Sequence, residues 1–214
     1  KTAAQLGLSH IALTDILNTS GVWDFVRAAE KHGVQPICGV TFKNQQGEVL
    51  FHAIAQNNVG YEEICSSLTA HLNNKGHHMG ERAPEAWRSV HVIYPWQQYC
   101  RNTAPFTDLN PWEWVGVQAW EVPQYGLKCA QNPAIANRCV AMHNLTFRYK
   151  RDWNCHRILR AIDCNALLSQ MPSTANAHPQ QRVMPRAEVE QAFENCPLLI
   201  ENGDELVHGC SINL

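Results

Sequence analysis

Nine cysteines and eleven histidines are the side chains of this sequence with the widest chemical reach, because thiolates and neutral imidazoles are the donors that zinc and similar ions select. Their spacing narrows what they can do. No C-x-x-C pair occurs among Cys38, Cys65, Cys100, Cys129, Cys139, Cys155, Cys164, Cys196 and Cys210, which excludes a zinc ribbon and a thioredoxin-like motif. Cys38 lies in the apolar run Pro36–Val40, where a thiol behaves as a small buried hydrophobe, and scattered thiols suit a reducing cytoplasm. Cys155-His156 and Asp163-Cys164 imitate ligand pairs, but both fall on one amphipathic helix, so Cys155 reads as core. His77-His78 stand between Gly76 and Gly80 in a polar stretch and read as solvated. Trp96, Trp112, Trp114 and Trp120 could stack the bases of single-stranded DNA. Only Arg101 supplies a nearby cation, so packing explains them better. The basic run Arg148, Lys150, Arg151 reads as a solvated loop.

The whole chain adds little charge to these candidates. Seventeen Lys and Arg against 19 Asp and Glu leave a net charge of -2, which offers no basic face for nucleic acid. With 214 residues, 45% of them hydrophobic, it suits one globular domain or one with a small appendage. No run approaches the roughly 20 apolar residues of a membrane span, and no signal peptide is visible. A cytoplasmic protein is expected.

Strands are expected at 10–14 (buried), 34–42, 49–55, 90–94, 114–120 and 139–142. Helices are expected at 22–32, from Tyr61 to Leu72, after Pro95 as a first-turn proline, near Ala134, at 153–168, 186–194 and 198–210. Val22, Phe25, Val26 and Ala29 recur at helical spacing, and Gln45-Gln46-Gly47 marks a turn. The alternation predicts a parallel α/β sheet, doubly wound or closed, with the last two helices as an appendage.

The segment Leu6-Gly7-Leu8-Ser9-His10-Ile11-Ala12-Leu13-Thr14-Asp15, with Asn18 and Gly21 in the following turn, resembles the run ending Thr-Asp-His in PHP (polymerase and histidinol phosphatase) domains of bacterial DNA polymerase III alpha subunits. Gly33-Val34-Gln35-Pro36-Ile37-Cys38-Gly39 is similar to that family's AGIKPIIG stretch, and Asn58-Val59-Gly60-Tyr61-Glu62-Glu63-Ile64-Cys65 to its EGYKNLC helix start. Cys155–Ile162 resembles the helix after the family's last metal motif. Pro197-Leu198-Leu199-Ile200-Glu201-Asn202 through Cys210 resembles the closing PEALENTLEIAERC run. That closing match favours the polymerase branch over histidinol phosphatases, and over a metabolic binding protein on the same fold.

The resemblance implies a PHP-type distorted (β/α)7 TIM-like barrel over residues 1–170, its first strand missing. Residues 171–214 would be a loop and C-terminal helices leading towards a polymerase palm. It also implies a site. Active members bind a metal cluster through His, Asp and Glu for phosphoester hydrolysis, and each position can be checked. The His-x-His motif would precede Lys1. Thr14 and Asp15 are kept, but Ile16 stands in place of His, Thr41 in place of Glu, Asn144 in place of Asp and Thr146 in place of His. Asp15 and His143 are the remaining ligand candidates.

The implied reading is a domain with no catalytic residue and no expected cofactor, a metal-free scaffold within a DNA-directed DNA polymerase acting in replication. Its implied partners are the rest of the polymerase chain, a separate proofreading exonuclease subunit, and DNA through the parent polymerase, with no membrane. The alternative is an active metal-dependent phosphoesterase or 3′–5′ proofreading exonuclease with shifted ligands, drawn from Asp15, His143 and His91. If the old site has become apolar, Ile16 is expected to be buried, and Ile16→His to cost about 1–3 kcal/mol.

Overall fold

The computed structural model describes residues 1–73, 79–101, 108–172 and 175–213. In chain order the elements are α1 (Thr2–Gln5), β1 (His10–Ile16), α2 (Val22–Lys31), β2 (Gln35–Lys43), β3 (Val49–Ala55), α3 (Asn58–Asn73), β4 (Val90–Pro95), α4 (Trp96–Arg101), β5 (Glu113–Val117), α5 (Val122–Gln131), β6 (Cys139–Ala141), α6 (Asp152–Asp163), α7 (Arg186–Ala192) and α8 (Pro197–His208). Among the described residues the strands form one six-stranded sheet in sequence order, curled into a half-barrel.

The sheet is mixed rather than parallel. β1 runs parallel to β2, and β4, β5 and β6 run parallel to one another, but β3 is antiparallel to both its neighbours. The reason is local. Only a short turn joins β2 to β3, with Gly47 at a φ of 81°, and a parallel crossover needs a dozen or more residues. β1 is also not the buried strand expected. It is an edge strand whose residues are half-buried or exposed.

Alternation along the strands divides the core into two faces. On one, Cys38, Val40, Phe42, Val92 and Tyr94 pack against Val22 and Val26 of α2 and Ile64 and Leu68 of α3. On the other, Ile37, Ile54 and Val140 meet Leu206 of α8 and the following Cys210, with Ile93 and Trp114 alongside. Over β5 and β6 a further cluster joins Trp96, Val115, Val117 and Tyr125 to Phe193 and Leu199. α8 is therefore not an appendage. Asn202 donates to the carbonyls of Cys139 and Ala136 at the β6 edge, and Gln35 donates to the Cys210 carbonyl.

Four other expectations shift. Pro95 closes β4 instead of opening a helix. β5 stops at Val117 because Glu121 accepts the Gln118 backbone N–H at 2.9 Å and nucleates a 3₁₀ turn over Ala119–Glu121, which holds Trp120. The stretch around Ala134 is a 3₁₀ turn, Pro133–Arg138, and the α-helix of this region is α5, just before it. α6 ends at Asp163, since Asn165 takes a left-handed φ of 48°.

Candidate functional site

The ligand positions marked in the sequence fall at the ends of β1 and β2 and beyond β6. Ile16 ends β1 and pairs with Thr41 of β2, which pairs in turn with His52 of β3. Thr41 donates its hydroxyl proton to the Thr14 carbonyl at 2.8 Å. A hydroxyl has one proton, so at 2.9 Å the His52 Nδ1–H must donate to Thr41 Oγ1. Burial pushes the His52 pKa down to about 4, and the ring is a neutral structural group. Beside this closed chain of hydrogen bonds, Ile16 is 54% exposed. The burial expected of Ile16 is wrong, because β1 is an edge strand and Ile16 is its last residue.

Asp15 points to the helix layer, on the side of β1 that carries Leu13. Its Oδ2 lies 3.2 Å from where a Cβ on Gly21 would stand, at the N-cap of α2, where the helix dipole favours a carboxylate. His143 lies elsewhere. Its Nε2–H donates to the Arg182 carbonyl at 2.7 Å, and burial lowers its pKa. It lines a cavity of about 480 Å³ between the start of β1, the end of β6 and α8, together with His10 and His208. The structure thus gives the two remaining candidates different structural partners. Asn144 is half-buried, and Thr146 donates to Gln181 Oε1 at 2.8 Å.

This donor set does not fit a cluster of divalent ions. Ile16 has no lone pair, the Thr41 hydroxyl is engaged twice, and threonine and asparagine bring no charge to offset the dehydration of the ions. Among the described residues no three His, Cys, Asp or Glu side chains stand together as a metal-holding group. His91 accepts the Trp114 indole N–H at 3.4 Å, and burial lowers its pKa.

The other candidates divide between structure and surface. His156 accepts the Ala177 N–H at 3.0 Å. Trp96 is fully buried against Tyr125 and Tyr99, Trp112 and Trp114 pack on the core clusters, and Trp120 stacks on His178 at 3.9 Å. Burial pushes the thiols of Cys38 and Cys210 up to about 11, as suits inert core residues. Cys155, by contrast, is exposed. Its helix turns its apolar stripe outwards, so the sequence reading of Cys155 as core fails. His77 and His78 lie outside the described residues.

A buried network also stands outside the residues that the sequence singles out. Glu113, 2% exposed, accepts the Tyr94 hydroxyl at 2.6 Å, the Asn110 N–H at 2.8 Å and the Arg82 guanidinium. A glutamate at the start of an apolar strand was the available signal.

Residues 1–100 match the PHP domain family. Over 219 residues the chain is 34% identical to the DNA polymerase III subunit alpha of Streptococcus pyogenes, covering 97% of this chain and 19% of that protein. Over 245 residues it is 38% identical to the DNA polymerase III subunit alpha of Escherichia coli O6:H1, covering 100% of this chain and 21% of that protein. The E. coli K12 subunit matches to the same extent. The chain spans about a fifth of the length of these relatives.

Proposed function

We propose that this chain, which carries a PHP domain homologous to the N-terminus of the DNA polymerase III alpha subunit, serves as a metal-free scaffold of a replicative DNA polymerase in the bacterial cytoplasm. The carrying observation is the donor set. At the positions that the resemblance assigns to ligands stand Ile16, Thr41, Asn144 and Thr146, whose side chains bring no charge to cage cations, and Thr41 is committed to the hydrogen bonds that join β1 to β3. On this reading residues 1–170 support the polymerase core, residues 171–214 lead to the palm, and a separate proofreading exonuclease subunit supplies hydrolysis.

The test uses full-length protein stripped with chelator and reloaded with zinc or manganese. The expected result is less than one tightly held ion per chain beyond those of the polymerase site. No 3′–5′ exonuclease activity with Mn(II) should depend on Asp15. A stoichiometric ion together with turnover abolished by Asp15→Ala would establish the hydrolase with shifted ligands instead.

A further inference from the structure

α6 is inside out. Its inner side is held by polar bonds to the 175–177 loop. The Trp153 indole N–H donates to the Ala177 carbonyl at 3.1 Å, the Ala177 N–H donates to His156, and Arg160 Nε donates to the Ala175 carbonyl at 3.0 Å. Its outer side carries Cys155, Ile158, Leu159 and Ile162 at i, i+3, i+4 and i+7, with exposures of 51%, 65% and 70% for the three aliphatic residues. Leu167, at 65%, extends the patch past the helix end. An amphipathic stripe of this kind ordinarily faces a core, and a contiguous exposed one marks an interface.

The charge along this segment is one-sided. From Arg148 to Asp163 there are five Lys or Arg residues against two Asp, in a chain of net charge -2. Arg148 and Arg151 lie over the Tyr149 ring and Arg157 over the Trp153 ring. Both carboxylates are committed: Asp152 accepts the Tyr149 N–H and forms an exposed pair with Arg151 at 3.7 Å, and Asp163 pairs with Arg160, which leaves Arg148 and Lys150 among the cations without an acid in this segment. A second copy of α6 would therefore bring no free carboxylate to these cations. A nucleic acid would use the cations but gain nothing from the isoleucines and leucines.

We propose that the outer face of α6 docks an acidic amphipathic helix of a partner protein, its apolar stripe on Ile158, Leu159 and Ile162 and its carboxylates against Arg148, Lys150 and Arg151. The proposal is independent of the metal-site reading. The test is fluorescence anisotropy on full-length protein with a labelled synthetic helix carrying Leu at i, i+3, i+4 and i+7 and Glu on the flanks. A twin peptide with Lys for Glu and a single-stranded oligonucleotide serve as competing probes. The Glu peptide should bind, and Leu159→Asp or Ile162→Asp should weaken it roughly tenfold or more. Arg148→Glu with Arg151→Glu should weaken it and flatten its salt dependence. Unaltered urea unfolding of these surface variants separates docking from folding. No binding of the Glu peptide, equal binding of the Lys peptide, preference for the oligonucleotide, or self-association abolished by Ile162→Asp would each overturn the proposal.

Discussion

Ile16 keeps more than half of its surface in solvent, and that changes what replacing it should cost. A histidine there loses little packing and finds water for its nitrogens. Ile16→His should shift the urea midpoint by no more than about 0.5 kcal/mol equivalent, and a loss above about 1.5 kcal/mol would mean the residue is covered. His52 carries the opposite expectation. Its folded pKa of about 4 lies below the ordinary value near 6.5, so the unfolded chain binds the extra proton. The contribution of neutral His52 is therefore complete above about pH 6.5 and lost as pH falls towards 4, a difference on the order of 3 kcal/mol. His52→Gln should flatten the stability profile between about pH 6.5 and 4, measured by urea unfolding across that range; an unchanged slope would place the titration elsewhere.

Two elements meet at Gly60, where α3 crosses the approach to β4. A Cβ there would stand 1.8 Å from the Ser89 carbonyl oxygen, and backbone cannot step aside as a side chain can. Gly60→Ala should cost about 1–3 kcal/mol despite the better helix propensity of alanine, and a stabilised variant in chemical denaturation would contradict the close approach. β4 and β5 are joined through Tyr94 and Glu113. Tyr94→Phe leaves a buried carboxylate one donor short, and should cost about 1–3 kcal/mol in the same assay, whereas a neutral outcome would show that Arg82 and the Asn110 N–H suffice.

For the molecule as a whole, α8 decides whether the sheet has two covered faces. Leu199, Leu206, Cys210 and Ile212 are all buried. At about 2 kcal/mol for each large side chain, their removal approaches the whole stability of a typical domain, about 5–15 kcal/mol. Truncation before Pro197 should abolish cooperative unfolding as followed by circular dichroism. A sharp transition surviving that truncation would make residues 197–214 a true appendage.

Helix periodicity in α2 and α3, the Gly47 turn and the closing helix were legible because each rests on local spacing that any fold must respect. So was the chemistry of Ile16, Thr41, Asn144 and Thr146, none of which brings a carboxylate or an imidazole. Other features depended on what lies across from a residue. The direction of β3, the hydrogen-bond chain Thr14–Thr41–His52 and the turning of Asp15 to the helix layer are properties of pairing. α6 shows the difference most plainly: its stripe was readable as apolar, but periodicity reports only that a helix has two sides. Which side is inside was decided by the polar bonds of Trp153, His156 and Arg160 to residues 175–177, contacts that exist only once the chain has folded back on itself.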